Sequence, residues 1–81
     1  MNQEQLISIF TTVFKCPAEI VNDTFSRTTA RNWDSIRQMM LIVEIEKSFK
    51  LTLDSEDMIA IDSFQKAREV LFKYGIAIKV A

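Results

Sequence analysis

The stretch Trp33-Asp34-Ser35-Ile36, together with the apolar run at 39–45 (Met-Met-Leu-Ile-Val-Glu-Ile), decides how this chain folds. The apolar run predicts a helix from about Ser35 to Phe49. Ser35 would lie at the N-terminus of that helix, where free backbone N–H groups and the helix dipole both favour an anion. Because the chain offers no other convincing reactive group, this serine indicates an attachment point rather than a catalytic residue.

Most of the remaining sequence is also typical of helices, since one glycine and one proline in 81 residues allow few tight turns. A first helix is expected from about residue 3 to residue 15, ending before Pro17. Its inward side follows the spacing of an amphipathic helix, with Leu6, Ile9, Phe10, Val13 and Phe14. Residues 16–34 form a long connection, which Ile20, Val21 and Phe25 could hold against the core.

Two further helices are expected in the second half. A short one runs from about Ser55 to Ile61, with Asp54 or Ser55 as its cap. The last begins near Ser63, stops at Gly75, and points Phe64, Ala67, Val70, Leu71 and Tyr74 inward. The apolar tail at 76–81 either lies back on the bundle or frays. The fold prediction is an all-α, four-helix single domain over 1–81, with a core at about 3–74 and a tail at 75–81.

Composition excludes several functions. The 10 basic residues against 11 acidic ones leave no surplus for nucleic-acid binding. The single cysteine, Cys16, cannot form an internal disulfide, and we expect it to be half-buried at a helix end. The absence of histidine argues against a metal site or a catalytic triad, so we expect no enzyme. Residues 1–5 lack the pattern of a signal peptide and no apolar run could span a membrane, so a cytoplasmic location is expected.

The helix at 35–49 has two apolar sides at about 100° per residue. Leu41, Ile42, Ile45 and Phe49 share one side, which we assign to the core because it includes the large Phe49. The opposite side then forms an exposed strip that starts one residue after Ser35 and consists of Ile36, Met39, Met40 and Val43. Exposed apolar strips often mark partner surfaces, and methionine suits surfaces that accept several partners. Flanking loops covering the strip would be the alternative.

A simpler explanation exists for Ser35. Asp-Ser pairs occur at 34–35, 54–55 and 62–63, each where a helix should begin, and both residue types are favoured caps. Gln38 lies three residues after Ser35, at the spacing of a capping box. Only Ser35, however, follows a long loop that ends in a tryptophan and opens a helix with apolar residues around much of its circumference.

The chain resembles the acyl carrier and peptidyl carrier proteins over about residues 3–74. Their signature Asp-Ser-Leu reads Asp34-Ser35-Ile36 here, preceded by Trp33 as in many free-standing carriers. Residues 44–49 resemble the family's Leu-Glu-x-x-Phe, residues 50–53 resemble its extended segment after the second helix, and residues 61–64 resemble the start of its last helix. The resemblance implies a four-helix bundle with a long first loop and a short third helix.

The resemblance also implies a function. Ser35 would carry 4′-phosphopantetheine, attached by a phosphopantetheinyl transferase, and the arm's thiol would hold an acyl or aminoacyl group as a thioester. Asp34 would help the transferase recognise the site, while Ile36, Met39, Met40 and Val43 would contact partners or the arm. The implied partners are the transferase, an acyl- or aminoacyl-loading ligase and a downstream transferase or synthase. We expect a monomer.

One departure from the family is informative. Fatty-acid carriers usually have a strongly acidic second helix, whereas here Glu44 and Glu46 are balanced by Arg37 and Lys47. The acidic residues cluster later instead, at Asp54, Glu56, Asp57 and Asp62. We therefore expect a dedicated pathway, for a specialised metabolite or a cell-surface modification, rather than bulk fatty-acid synthesis. The alternative function is a small helical interaction module in which Ser35 is only a helix cap.

Overall fold

The structure is a computed structural model that describes residues 3–78. Four α-helices follow one another: α1 at Gln3–Phe14, α2 at Ser35–Phe49, α3 at Ser55–Ala60 and α4 at Phe64–Lys73. No β-strand occurs within residues 3–78. The predicted all-α class, the long first loop and the short third helix are therefore confirmed, and each helix begins and ends within two residues of its expected bounds.

Three helices end in a left-handed residue. Lys15 follows α1 with φ 51°, Lys50 follows α2 with φ 54°, and Gly75 follows α4 with φ 89°. Gly75 is the only one of the three without a Cβ, so it adopts this conformation at no steric cost. The predicted stop of the last helix at Gly75 is thus confirmed.

The core is formed by the inward sides of α1, α2 and α4, as the apolar spacing predicted. The buried residues of α2 are Leu41, Ile42, Ile45 and Phe49, and those of α4 are Phe64, Ala67, Val70 and Leu71. Phe10 of α1 lies at the centre, with its ring centroid 5.3 Å from that of Phe64 and 5.7 Å from those of Phe14 and Phe25. Tyr74 is half-buried rather than fully buried, because its hydroxyl points to polar partners.

The long loop is anchored more firmly than its polar sequence suggests. Phe25 accepts a hydrogen bond at its carbonyl from the N–H of Phe64 (2.9 Å), and the N–H of Arg27 donates to the carbonyl of Asp62 (2.8 Å). Val21 and Phe25 are buried as predicted, but the prediction for Ile20 is wrong. Ile20 closes a 3₁₀ turn at Ala18–Ile20, which leaves its side chain 47% exposed.

The chain after α4 turns back towards the bundle. The N–H of Ile76 donates to the carbonyl of Leu71 (2.9 Å), and the side chains of Ile76 and Ile78 pack against the core. Of the two expectations for the tail, the first therefore holds for residues 76–78. Residues 79–81 lie outside the described part of the chain.

Candidate functional site

Ser35 lies at the N-terminus of α2, but it is not the cap of that helix. Asp34 is the N-cap, with an extended backbone and a carboxylate that accepts the N–H of Arg37 at 2.8 Å. Ser35 is the first helical residue, its side chain is exposed, and its hydroxyl has no hydrogen-bond partner among residues 3–78. The prediction that Ser35 could act as the cap is therefore wrong, since the preceding aspartate already fills that role.

Gln38 does not complete a capping box either. Its side-chain Oε1 accepts the indole N–H of Trp33 (2.6 Å) and a guanidinium N–H of Arg27 (3.0 Å). Its Nε2 donates to the carbonyls of Met58 and Ile61, both at 2.8 Å. One amide thus joins the loop, α2 and the end of α3. Sequence reasoning missed this role because three of the four partners, Arg27, Met58 and Ile61, lie 11 to 23 residues away along the chain.

Two side chains tie the end of α1 to the start of α2. The guanidinium of Arg37 donates to the carbonyl of Val13 (2.5 Å), and the amide of Asn32 donates to the carbonyl of Phe14 (3.0 Å). These carbonyls belong to the last turn of α1, where no intrahelical donor remains. The two bonds satisfy them and fix the loop end that carries Asp34 and Ser35.

Trp33 forms the floor behind Ser35. It is buried, and its ring centroid lies 4.6 Å from that of Phe14, 5.9 Å from that of Phe25 and 6.1 Å from that of Phe10. Aromatic contacts of this kind contribute beyond the area that they bury. The side chain of Trp33 therefore anchors the chain to the core directly before Asp34, while Asp34 and Ser35 remain exposed.

The outward side of α2 carries the predicted apolar strip. The exposed fractions are 71% for Ile36, 58% for Met39, 43% for Met40 and 46% for Val43, so no loop within residues 3–78 covers the strip. Together with Thr12 and Val13 of α1, these four residues line a groove of about 550 Å³, which Ser35 and Glu44 bound. We call this feature the α1–α2 groove. Its lining is almost entirely apolar.

A second groove of about 330 Å³ reaches Ser35 from the other side and has polar walls. Arg27, Trp33, Asp34, Gln38 and Met39 line it together with Ser35. Ser35 therefore stands between a polar groove that contains a guanidinium and an apolar groove between two helices. The position of Arg27 beside Ser35 was not predicted from the sequence, because nothing local connects the two residues.

The acidic residues near α3 are not all available as surface charge. Asp57 is buried, and its carboxylate accepts the hydroxyl of Tyr74 (2.7 Å) and the ammonium of Lys73 (2.9 Å). The Tyr74 hydroxyl bond, followed by the Lys73 bond, holds the pKa of Asp57 below its ordinary value. This carboxylate therefore joins α3 to the end of α4 and is not part of a docking surface.

Cys16 is half-buried at the end of α1, as expected, and burial raises the pKa of its thiol. Residues 3–78 contain no group of three or more cysteine and carboxylate side chains placed to hold a metal ion. None of the helices described is long and apolar enough to cross a membrane.

Comparison with known proteins does not assign the chain to a family. No protein-family model matches the chain, and no curated protein matches it either.

Proposed function

We propose that this protein is a carrier of the acyl carrier type, which presents acyl or aminoacyl groups on 4′-phosphopantetheine attached to Ser35. The observation that carries the proposal is the state of the Ser35 hydroxyl. It is exposed, it has no hydrogen-bond partner among residues 3–78, and it stands on the first turn of α2, whose cap is a different residue. A serine needed for capping would have its hydroxyl engaged.

The residues around Ser35 suit a phosphodiester. Backbone N–H groups in the first turn of a helix lack intrahelical acceptors, and the helix dipole favours an anion there. Arg27 lines the polar groove beside Ser35 and supplies a positive charge. In the attachment step, the Ser35 oxygen would form a bond to the phosphorus that bears the pantetheine in coenzyme A. The bond to 3′,5′-ADP breaks, and the hydroxyl proton is released to the transferase or solvent.

When attached, 4′-phosphopantetheine supplies a flexible arm whose terminal thiol holds the cargo as a thioester. The protein's own residues supply the attachment point and the recognition surface. Asp34 fixes the start of α2, and Ile36, Met39, Met40 and Val43 offer a strip for partners. The proposed partners are a phosphopantetheinyl transferase, an acyl- or aminoacyl-loading ligase and a downstream transferase or synthase. In this proposal the carrier works as a cytoplasmic monomer and performs no catalysis itself.

The charges of α2 support a dedicated pathway for a specialised metabolite or a cell-surface modification. Arg37 is committed to the end of α1, and Lys47 lies 3.9 Å from Glu44, so the helix offers partners a mainly apolar side. A competition between this protein and a fatty-acid carrier for loading of a fatty-acid ketosynthase tests this. We expect the fatty-acid carrier to be used in clear preference, and equal efficiency would contradict the dedicated role.

Intact mass tests the carrier function itself. Purified protein is incubated with coenzyme A, Mg²⁺ and a promiscuous phosphopantetheinyl transferase, with Ser35→Ala as the control and Ser63→Ala as a matched variant. Ser63 also follows an aspartate at a helix start, but its hydroxyl accepts the N–H of Lys66 at 2.9 Å. We expect one phosphopantetheine on the wild type and on Ser63→Ala, and none on Ser35→Ala. No addition to folded wild type by several transferases would contradict the proposal.

The second candidate is an interaction module that uses the exposed strip on α2. The four exposed side chains favour it, since monomeric proteins rarely leave such a strip free without use. Under this candidate, Ser35→Ala would leave partner binding intact while Val43→Glu would abolish it. A carrier would lose its function with Ser35→Ala alone.

A further inference from the structure

A further cleft lies between the end of α1 and the long loop, and neither Ser35 nor any other residue of α2 lines it. Its volume is about 550 Å³. We call it the loop cleft, and its accessible lining includes Lys15, Cys16, Ile20 and Arg31. We propose that the loop cleft docks a partner protein through an acidic segment that carries one apolar anchor residue.

The inner part of the loop cleft is apolar. Phe14 and Phe25 are core residues, only 2% and 5% exposed, and they close its floor. The surface that a partner could touch comes from Ile20, which is exposed, and from Cys16 and Ala30, which are half-buried. The exposure of Ile20, unexpected from the sequence, thus places an aliphatic side chain where a partner's apolar residue could cover it and remove both from water.

Hydrogen bonds hold the loop wall of the cleft in place. The hydroxyl of Thr29 donates to the carbonyl of Thr24 (2.9 Å), and both residues line the cleft. The amide of Asn32, another lining residue, donates to the carbonyl of Phe14 (3.0 Å) and ties the loop to α1. A partner would therefore meet a preformed surface and would lose little binding free energy to ordering the loop.

The charges of the loop cleft distinguish it from the rest of the surface. Nine of the ten basic residues lie within 3–78, and six of these have a side-chain hydrogen bond or ion pair in that range: Arg27, Arg37, Lys47, Lys66, Arg68 and Lys73. The other three are Lys15, Arg31 and Lys50, and the first two line the cleft. No acidic residue within 3–78 lines it. Two uncommitted cations beside apolar surface favour a partner that brings carboxylates, because complementary charges steer association and fix the register of docking.

The arrangement fits a protein segment better than a small molecule. Lys15 and Arg31 are exposed while the inner lining is apolar, and an apolar centre with a polar rim is typical of protein interfaces. A small-molecule pocket would also need polar groups that converge on its interior. Here the hydroxyl of Thr29 and the amide of Asn32 are instead bonded to backbone carbonyls of the protein itself. The docked segment would insert its apolar residue beside Ile20 and place carboxylates against the two cations.

Peptide selection tests the inference. A displayed library of random short peptides is selected against the wild-type protein, and the enriched peptides are synthesised and added to the ¹⁵N-labelled protein. We expect them to combine acidic residues with an apolar residue and to shift the amide signals of Cys16, Ile20 and Arg31. Replacing their acidic residues with asparagine and glutamine should weaken binding by about tenfold or more.

Lys50 provides a matched control for Lys15. Both lysines directly follow a helix in a left-handed conformation, with φ 51° for Lys15 and 54° for Lys50, but Lys50 does not line the cleft. We expect Lys15→Glu and Arg31→Glu each to weaken peptide binding by about tenfold or more, and Lys50→Glu to leave it unchanged. Far-UV circular dichroism establishes that each variant is folded.

Several outcomes would overturn the docking inference. These are enriched peptides that lack acidic residues, no enriched peptide that binds the cleft, and equal losses for Lys15→Glu and Lys50→Glu. Shifts of the same amides with protein concentration alone would assign the cleft to a second copy of the chain. Equally tight binding of octanoate would assign it to a small anion, and either result would also overturn a partner segment. None of these outcomes bears on the loading of Ser35, which intact mass tests separately.

Discussion

Replacing Gln38 with leucine should destabilise the protein far more than its half-buried position suggests. The substitution keeps a similar volume but removes the amide that joins the loop, α2 and α3. It leaves the indole N–H of Trp33 and the carbonyls of Met58 and Ile61 without this partner. Arg27 also loses a partner, but as an exposed guanidinium it can bond to water instead.

The magnitude follows from those three groups. A buried polar group that loses its partner costs about 1–3 kcal/mol, so three would cost roughly 3–9 kcal/mol if all were sealed from water. The site is only partly buried, and water can replace some of the bonds, which lowers our expectation to about 2–4 kcal/mol. For a domain whose total stability is about 5–15 kcal/mol or less, this is a large fraction.

Urea unfolding followed by far-UV circular dichroism measures the effect. With a slope of about 1 kcal/mol/M, the midpoint should fall by roughly 2 M or more. Gln65→Leu is the matched control, because Gln65 is exposed on α4 and its side chain has no hydrogen bond among residues 3–78. It should change stability by no more than about 0.5 kcal/mol. Equal midpoints for the two leucine variants would refute the structural role assigned to Gln38.

Three further predictions concern the cap, the buried carboxylate and the thiol. Asp34→Ala should cost about 1 kcal/mol in urea unfolding by removing the cap of α2, whereas Ser35→Ala should cost only a few tenths; the reverse order would contradict the cap assignment. The hydrogen bond from the Tyr74 hydroxyl lowers the pKa of Asp57 in the folded protein. The ionised Asp57 carboxylate should therefore contribute its full stabilisation at a pH above the ordinary pKa of 3.8, and this contribution should be lost as the pH falls through the lower pKa of the folded state. Asp57→Asn should thus be less stable than wild type at neutral pH, with the difference shrinking in acid, and a constant difference would argue against this linkage. Burial raises the pKa of the Cys16 thiol, so Cys16 should react with iodoacetamide more slowly in the folded protein than in urea, as intact mass would show; equal rates would contradict its burial.

The helices were predictable because their signals are local. The apolar spacing of α2 predicted its length and its two apolar sides, and the large Phe49 predicted that the side of Leu41 faces the core while Val43 faces outward. The cap was less certain for a physical reason. Asp34 and Ser35 are adjacent residues that both cap well, and the choice depends on which of them keeps an extended backbone; in the fold it is Asp34, with φ -117° and ψ -174°.

The connections were harder to predict because their contacts are not local. Nothing in the sequence around Ile20 indicates that a 3₁₀ turn exposes it while Val21 beside it is buried. The polar groove beside Ser35 was not predicted for the same reason. Arg27 reaches Gln38 across 11 residues, and Gln38 reaches Ile61 across 23. Such pairs leave no spacing pattern in a single sequence.

The burial of Trp33 gives the protein an intrinsic optical reporter. The chain contains one tryptophan, so its fluorescence arises from a single indole, two residues before Ser35. That ring is packed among phenylalanines, and its N–H donates a hydrogen bond to Gln38. Its emission therefore depends on whether the end of the loop stays packed against the core. Unfolding, and the loading and docking proposed above, could therefore each be followed by fluorescence without a label.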